Sequence, residues 1–182
     1  MILNLIILVA LVWAFMVGYS RGLILHVIYS FGTIIAAFIA ASNYKELAQK
    51  LSIWVPFSNA TENSHLLLFS DKLLFQLDDA FYASISFLAI FIVVYAIIRL
   101  IGLFLHFALS PLGRNGKIIA GILGFVATYF GLQMVLMVLS LVPIAAVQSQ
   151  LDASFLACFM VLHTPISSGI LQNLFIENIV HI

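Results

Sequence analysis

Four apolar segments, each long enough to cross a lipid bilayer, make up most of this sequence. A helix rises about 1.5 Å per residue, so roughly 20 residues span a hydrocarbon core about 30 Å thick. Backbone groups in that core must be hydrogen-bonded within the protein, which favours helices. We therefore predict an all-α integral membrane protein with four transmembrane helices arranged as two hairpins. The predicted helices cover about residues 2–18, 23–42, 83–109 and 118–142.

The composition excludes a soluble domain of this length. Hydrophobic residues make up 64% of the chain and charged residues 8%, and the mean hydropathy is +1.22. Soluble domains are about half apolar and about a quarter charged, so the excess apolar surface needs a bilayer. The formal net charge is zero, which argues against a broad basic face for nucleic acid. Residues 1–182 are predicted to form a single membrane domain whose first partner is the lipid bilayer.

Two segments break the apolar pattern and are predicted to form amphipathic surface helices. The middle segment is expected on the membrane surface, whereas the tail fits either the membrane surface or a position docked on the helices. Residues 43–82 contain five of the seven acidic residues, and residues 44–54 within them fit a short amphipathic helix. The tail, residues 144–182, has an apolar run that is interrupted around Pro165, and we interpret it as two amphipathic pieces. The alternative is a fifth span over residues 153–176, which would have to cross that interruption.

The distribution of basic residues predicts the orientation. The two short loops between the predicted helices carry Arg21, Arg114 and Lys117 and no acidic residue. The middle segment has three lysines, but these are spread among five acids. Basic residues near the ends of spans favour the cytoplasmic side. We therefore predict a multi-pass protein with the short loops in the cytoplasm and both chain ends outside.

Small residues recur at helical spacing on the second and fourth segments. Helices in lipid associate through close backbone packing, which such residues allow. We predict that these faces pack against other helices, either within the chain or between copies in a homo-oligomer or with other membrane proteins. The predicted packing residues are Gly32, Ala36 and Ala40 on the second segment and Ala120, Gly121, Gly124, Thr128 and Gly131 on the fourth.

Arg99 is the polar residue of greatest interest, because a charge inside a membrane segment is costly and often functional. It lies sixteen residues beyond Ala83, which is about 24 Å along a helix and close to the predicted cytoplasmic boundary. His106 follows on the same helical face. Arg99 either belongs to a solute pathway with His106 or extends its side chain to the headgroups as an anchor. His26, near the start of the second segment, is predicted to be an interfacial polar residue.

No catalytic or ligand-binding motif is found in the sequence. The HExxH, GxSxG, phosphate-loop and dinucleotide patterns are absent. Cys158 is the only cysteine, which excludes an internal disulfide or a paired-cysteine metal motif. No carboxylate lies within a predicted span, which argues against a cation-coupled transporter. We predict no catalytic residue, no cofactor and no metal site, and hence no enzyme.

Several short motifs resemble the colicin V production protein family. GYSRG at residues 18–22, followed by SFG at 30–32, resembles the opening of that family. RNGK at 114–117 running into AGILG at 120–124 resembles a later part, and HTP at 163–165 resembles members from Gram-positive bacteria. The order of parts also matches over nearly the whole chain. The resemblance implies a bacterial multi-pass membrane protein that is linked to toxin (bacteriocin) production or export.

The match is not complete at the charged positions of the family. The family commonly has a basic residue and a Glu shortly after its Arg-Gly pair, where this chain has Leu25 and His26. It often has a basic residue followed by Gly in the last helix, where Ala127-Thr128 stand here. Arg21 and Gly22 are the residues that carry over, and they imply no mechanism by themselves.

Two functional hypotheses follow. The first is a non-enzymatic accessory protein that supports toxin production or export through protein contacts. The second is a small oligomeric pore or carrier that uses a polar face around Arg99.

Overall fold

The structure, a computed structural model, describes residues 2–54, 66, 68–69, 76–106 and 114–177. Within these residues the regular secondary structure is helical. Four long helices have the length and hydropathy of membrane spans, which confirms the predicted all-α membrane protein with four transmembrane helices. They are α1 (Ile2–Arg21), α2 (Leu23–Trp54), α3 (Leu77–His106) and α4 (Arg114–Ser140).

The turn between α1 and α2 is shorter than the glycines and serine of residues 18–22 suggest. Helix α1 continues to Arg21, and Gly22 alone separates it from α2. Gly22 has a φ of 92°, a backbone conformation that costs L side chains roughly 1–2 kcal/mol. Its N–H donates to the Gly18 carbonyl oxygen at 3.3 Å. Glycine at this position therefore lets the chain reverse within one residue.

Helix α2 runs beyond its predicted end at residue 42 and includes the predicted amphipathic helix without a break. No glycine or proline interrupts it there, and the polar residues at the junction bond to their own helix. The Ser42 hydroxyl donates to the Phe38 carbonyl at 3.0 Å and the Asn43 amide to the Ile39 carbonyl at 2.8 Å. Such back-bonding satisfies polar groups within a helix.

Helix α3 begins at Leu77 rather than at residue 83, with Asp78 and Asp79 in its first turn. Acidic residues at that end interact favourably with the helix dipole, which helps to start the helix there. The rest of the predicted surface stretch, residues 55–65, 67 and 70–75, lies outside the described residues, as does the end of the third predicted helix at 107–109.

The long helices pack mainly across the two hairpins rather than within them. Helix α1 lies against α4, α2 lies against α3, and α2 also contacts α4, whereas α1 and α2 touch little. The common core joins all four long helices and the tail, with Ile7 and Leu11 as the buried contribution of α1. Its aromatic centre places Phe87 next to Tyr44 and Phe175, with ring centroids 6.3 and 5.3 Å apart.

The tail folds back onto the helices through several short segments. They are α5 (Ala145–Asp152), α6 (Phe155–Cys158) with a π-helical continuation (Phe159–His163), and α7 (Ser167–Gln172) with another (Asn173–Glu177). An 89° bend separates α5 from the segment ending at His163, and together these two pieces have the length and hydropathy of a broken span or a re-entrant loop. Several tail residues are buried in the common core: Ala157, Met160, Val161, Leu171 and Phe175.

Hydrogen bonds from the long helices hold the tail in place. Asn4 on α1 accepts from the Ser154 hydroxyl at 2.6 Å and from the Leu156 N–H at 3.0 Å. Gln133 on α4 donates to the Met160 carbonyl at 2.7 Å. The tail is therefore docked on the helix bundle, with its apolar residues buried against the long helices.

Replacing Asn4 with leucine is expected to loosen the start of the tail, because two donors lose their shared acceptor at once. Each unsatisfied group costs about 1–3 kcal/mol. Hydrogen exchange of the Leu156 and Ala157 amides should become faster in detergent-solubilised protein. Asn43→Leu is the control, since Asn43 is exposed and its amide bonds within α2. Equal exchange in the two variants would contradict the proposed role of Asn4.

Candidate functional site: a cleft around Arg99

A cleft of about 790 Å³ lies between the helix pairs and is lined by all four long helices. One wall is apolar and comes from α1, between Leu5 and Val17. The other walls come from α2, α3 and α4, and they bring the polar side chains. The polar groups in the lining are His26, Tyr29 and Ser30 from α2, Tyr95 and Arg99 from α3, and Thr128 from α4.

Arg99 is held at this cleft by two aromatic rings. Its guanidinium carbon lies 4.9 Å from the centroid of Tyr29 and 5.7 Å from that of Tyr95. Cation–π contacts of this kind contribute roughly 0.5–1 kcal/mol at exposed sites. The ion pair found among the described residues is Lys50–Glu46, so no described carboxylate neutralises Arg99. Arg99 is thus exposed at the cleft, beside two aromatic rings and without a carboxylate partner among the described residues.

Tyr29 connects the polar groups of the cleft. Its ring lies so close to Gly102 of α3 that a β-carbon there would overlap it. Its hydroxyl lies 3.5 Å from the Arg99 carbonyl, and the His26 ring meets it edge-on at 5.7 Å. His26 in turn has Nδ1 3.2 Å from the Gly22 carbonyl oxygen. Contacts through His26 and Tyr29 therefore connect the turn at Gly22 to the cleft at Arg99.

Sequence reasoning did not identify the two tyrosines that position Arg99. Tyr95 precedes Arg99 by four residues, which places both on one face of α3, so this pair could have been found from spacing. Tyr29 lies on a different helix, and no local pattern relates it to Arg99. His26 was predicted to be an interfacial residue, and the structure places it in the cleft, buried.

The predicted packing residues fall into three groups: most pack against another helix, one lines the cleft, and one has room around it. Ala36, Ala40 and Ala120 have no exposed surface, and a β-carbon at Gly32 would lie 2.6 Å from the Ile98 side chain of α3. On α4, a β-carbon at Gly121 would meet the Phe15 ring of α1 at 2.7 Å, and Gly124 faces α1 and α2. Thr128 lines the cleft. A β-carbon at Gly131 would meet no described atom within 4 Å outside its own helical turn, so there is room for a side chain at that position.

The remaining predicted polar residues lie near one end of the bundle. Arg21 is exposed at the last turn of α1, next to Gly22. His106 is the last residue of α3, and its side chain lies outside the described residues, as does that of Arg114. The end of α1, the start of α2, the end of α3 and the start of α4 share this end of an up-and-down bundle. It is the basic end, whereas Asp78 and Asp79 begin α3 at the other end.

The described residues contain no group of three or more His, Cys, Asp or Glu side chains that could hold a metal ion. The cleft itself places the Arg99 cation beside aromatic and apolar surfaces, with His26, Ser30 and Thr128 as further polar groups. Such an arrangement suits the binding of an anion that carries an apolar part.

Comparison with known proteins gives two matches over most of the chain. The family described as colicin V production protein matches residues 3–165. The protein called "Uncharacterized transmembrane protein YshB" from Bacillus subtilis (strain 168) is 31% identical over 177 residues, which cover 96% of this chain and 98% of that protein. No solved structure gives a significant match.

Proposed function

This chain belongs to the colicin V production protein family, and from that premise we propose that it is a non-enzymatic accessory protein for toxin (bacteriocin) production or export. Its place is the membrane, which its four spans and its transmembrane relative support. The proposed role in toxin production or export is supported by the family description and by the geometry of the cleft.

The observation that carries the proposal is the unneutralised Arg99 at a cleft between helices. The Asn4 side chain, in contrast, uses its oxygen within the chain, where it accepts from Ser154 and Leu156. The Arg99 guanidinium is instead exposed at a cavity, where another molecule can reach it. Most of the cleft lining is apolar, and Arg99 is the charged residue among its described members, which favours binding of a ligand with an anionic and an apolar part.

The proposal is tested in a toxin-producing host from which the gene has been deleted. We expect toxin activity in the medium to fall in the deletion strain, to return with the parent gene, and to return only in part with Arg99→Gln. Arg21→Gln is the matched control, because Arg21 is an exposed arginine near the same end but outside the cleft. Unchanged toxin production in the deletion strain would overturn the accessory role.

A second candidate function is a small oligomeric pore or carrier whose path includes Arg99. The same cleft favours it, because a cation beside a cavity can select anionic solutes. The test is solute flux across proteoliposomes, beside Arg99→Ala protein at equal incorporation. Flux that depends on Arg99 would support the carrier, whereas equal flux from the variant would remove Arg99 from any path.

We further propose the orientation in which the basic end faces the cytoplasm and the start of α1 and the tail face outward. In a Cys158→Ser background, a membrane-impermeant maleimide applied to intact cells should label Lys45→Cys and leave Arg21→Cys unlabelled. After permeabilisation both positions should react, since both residues are exposed. Labelling of Arg21→Cys in intact cells would reverse the orientation.

A further inference from the structure

We propose that the Arg99 cleft binds one anionic membrane lipid, with its phosphate on the Arg99 guanidinium and an acyl chain along α1. This proposal goes beyond the role in toxin production and does not depend on it. It concerns what occupies the cleft when the protein is in a bilayer.

The end of the cleft that contains Arg99 can bind a phosphate group. A guanidinium presents a planar fork of N–H donors that can bind phosphate oxygens through two parallel hydrogen bonds. Tyr29 and Tyr95 lie against Arg99 at 4.9 and 5.7 Å, measured from the guanidinium carbon to the ring centroids. Neither ring contact is a hydrogen bond, and no described carboxylate pairs with the guanidinium, so its N–H groups can donate to a phosphate. Basic pockets between transmembrane helices bind lipid head groups in this way.

The rest of the cleft is long and apolar enough to hold an acyl chain. Its α1 wall extends from Leu5 to Val17, twelve positions that correspond to about 18 Å along the helix. Val9 and Trp13 lie between them on the same wall, and Leu123 and Ala127 of α4 line the cleft from another side. An elongated apolar wall that leads away from a cation fits an amphiphile better than a small soluble anion.

The depth of Arg99 also fits a lipid. Arg99 lies seven residues before the end of α3, or about 10 Å along the helix. Helix α3 has 30 residues, which make it about 45 Å long, so its ends extend past a hydrocarbon core of about 30 Å. Arg99 is therefore near the boundary where lipid phosphates lie, and the α1 wall runs from there into the hydrocarbon region.

The test uses Trp13, which lines the cleft, as a built-in reporter. The chain has two tryptophans, so Trp54→Phe leaves Trp13 alone. The protein is reconstituted in vesicles of phosphatidylcholine with increasing fractions of phosphatidylglycerol, and in each series one lipid carries brominated acyl chains that quench fluorescence. Both lipids offer a phosphate to Arg99, but only phosphatidylglycerol has a net negative head group. We therefore expect brominated phosphatidylglycerol to quench Trp13 with an apparent affinity about fivefold above that of brominated phosphatidylcholine.

Variants separate the site from general membrane charge. Arg99→Gln should abolish the preference, Arg99→Glu should reverse it towards phosphatidylcholine, and Arg21→Gln should leave it unchanged. A reversal cannot arise from unfolding. Ala10→Leu, which adds bulk to the α1 wall, should weaken quenching by both brominated lipids.

Three results would overturn the proposal. They are equal quenching by the two lipids in the parent protein, an unchanged preference in Arg99→Gln, and loss of the preference when excess inorganic phosphate is added. The last result would assign the cleft to a soluble anion. An unchanged preference in phosphate supports the lipid.

Discussion

Gly18→Leu is expected to separate α1 from α4 and to lower the free energy of unfolding by about 3 kcal/mol or more. A β-carbon at Gly18 would overlap the Ala120 carbonyl oxygen and lie 2.9 Å from the Gly121 α-carbon. Both obstacles are backbone atoms, so no side-chain rotation can relieve the overlap. The two helices would have to move apart along the contact that fixes α1 in the bundle.

The expected loss is large because lipid gives these helices no hydrophobic reason to associate. Close packing between backbones is then a main source of attraction, and it falls steeply with separation. Denaturant titration in mixed micelles, followed by helical circular dichroism and by gel filtration, measures the effect.

Gly131→Leu is the matched control, since no described atom outside its own helical turn lies within 4 Å of the position that its β-carbon would take. Gly124→Leu should also disrupt assembly, because its β-carbon would lie 2.9 Å from the Ala14 carbonyl oxygen and 3.2 Å from the His26 ring. Equal stabilities of the Gly18→Leu and Gly131→Leu proteins would show that the α1–α4 contact does not hold the bundle together.

Gln148→Leu is expected to destabilise the junction between α4 and the tail by about 2–4 kcal/mol, because it removes the cap of a helix end. The side-chain amide of Gln148 donates to the Ser140 carbonyl at 3.0 Å and to the Val142 carbonyl at 2.9 Å. Pro143 has no N–H to offer, and the Ile144 N–H bonds to Val142 instead of Ser140. The Ser140 carbonyl therefore depends on Gln148.

Gln133→Leu is a stringent control, because Gln133 is as buried as Gln148, at 1% and 2% exposure. Its side-chain oxygen has no hydrogen-bond partner among the described residues, and the Met160 carbonyl that it serves also accepts from the Thr164 hydroxyl at 3.0 Å. Leucine there removes one unsatisfied atom and leaves no other polar atom without a partner. We therefore expect the free energy of unfolding to change by about 1 kcal/mol or less. Thermal unfolding followed by near-ultraviolet circular dichroism compares the two. A larger loss from Gln133→Leu would contradict the capping role of Gln148.

The sequence alone determines the class of the fold, because that class depends on properties local to each segment. In a bilayer, an uncharged run near 20 residues long can satisfy its backbone hydrogen bonds only as a spanning helix. The four spans could therefore be predicted. Their ends were harder to place. Ser42 and Asn43 resemble a boundary in composition, yet their side chains bond within the helix and α2 passes through them. The family resemblance also lay in short local motifs, which the comparisons bear out.

Only the tertiary structure decides which helices pack together and what surrounds Arg99. In a soluble helix, polar residues mark the outer face, but here lipid-facing and buried faces are both apolar. The pairing of α1 with α4 and of α2 with α3 therefore leaves little trace in the hydropathy. The pairing in turn brings Tyr29 to Arg99 and Asn4 to Ser154. These residues are far apart along the chain, and no periodicity relates them, so the cleft and the docked tail become visible only once the helices are assembled.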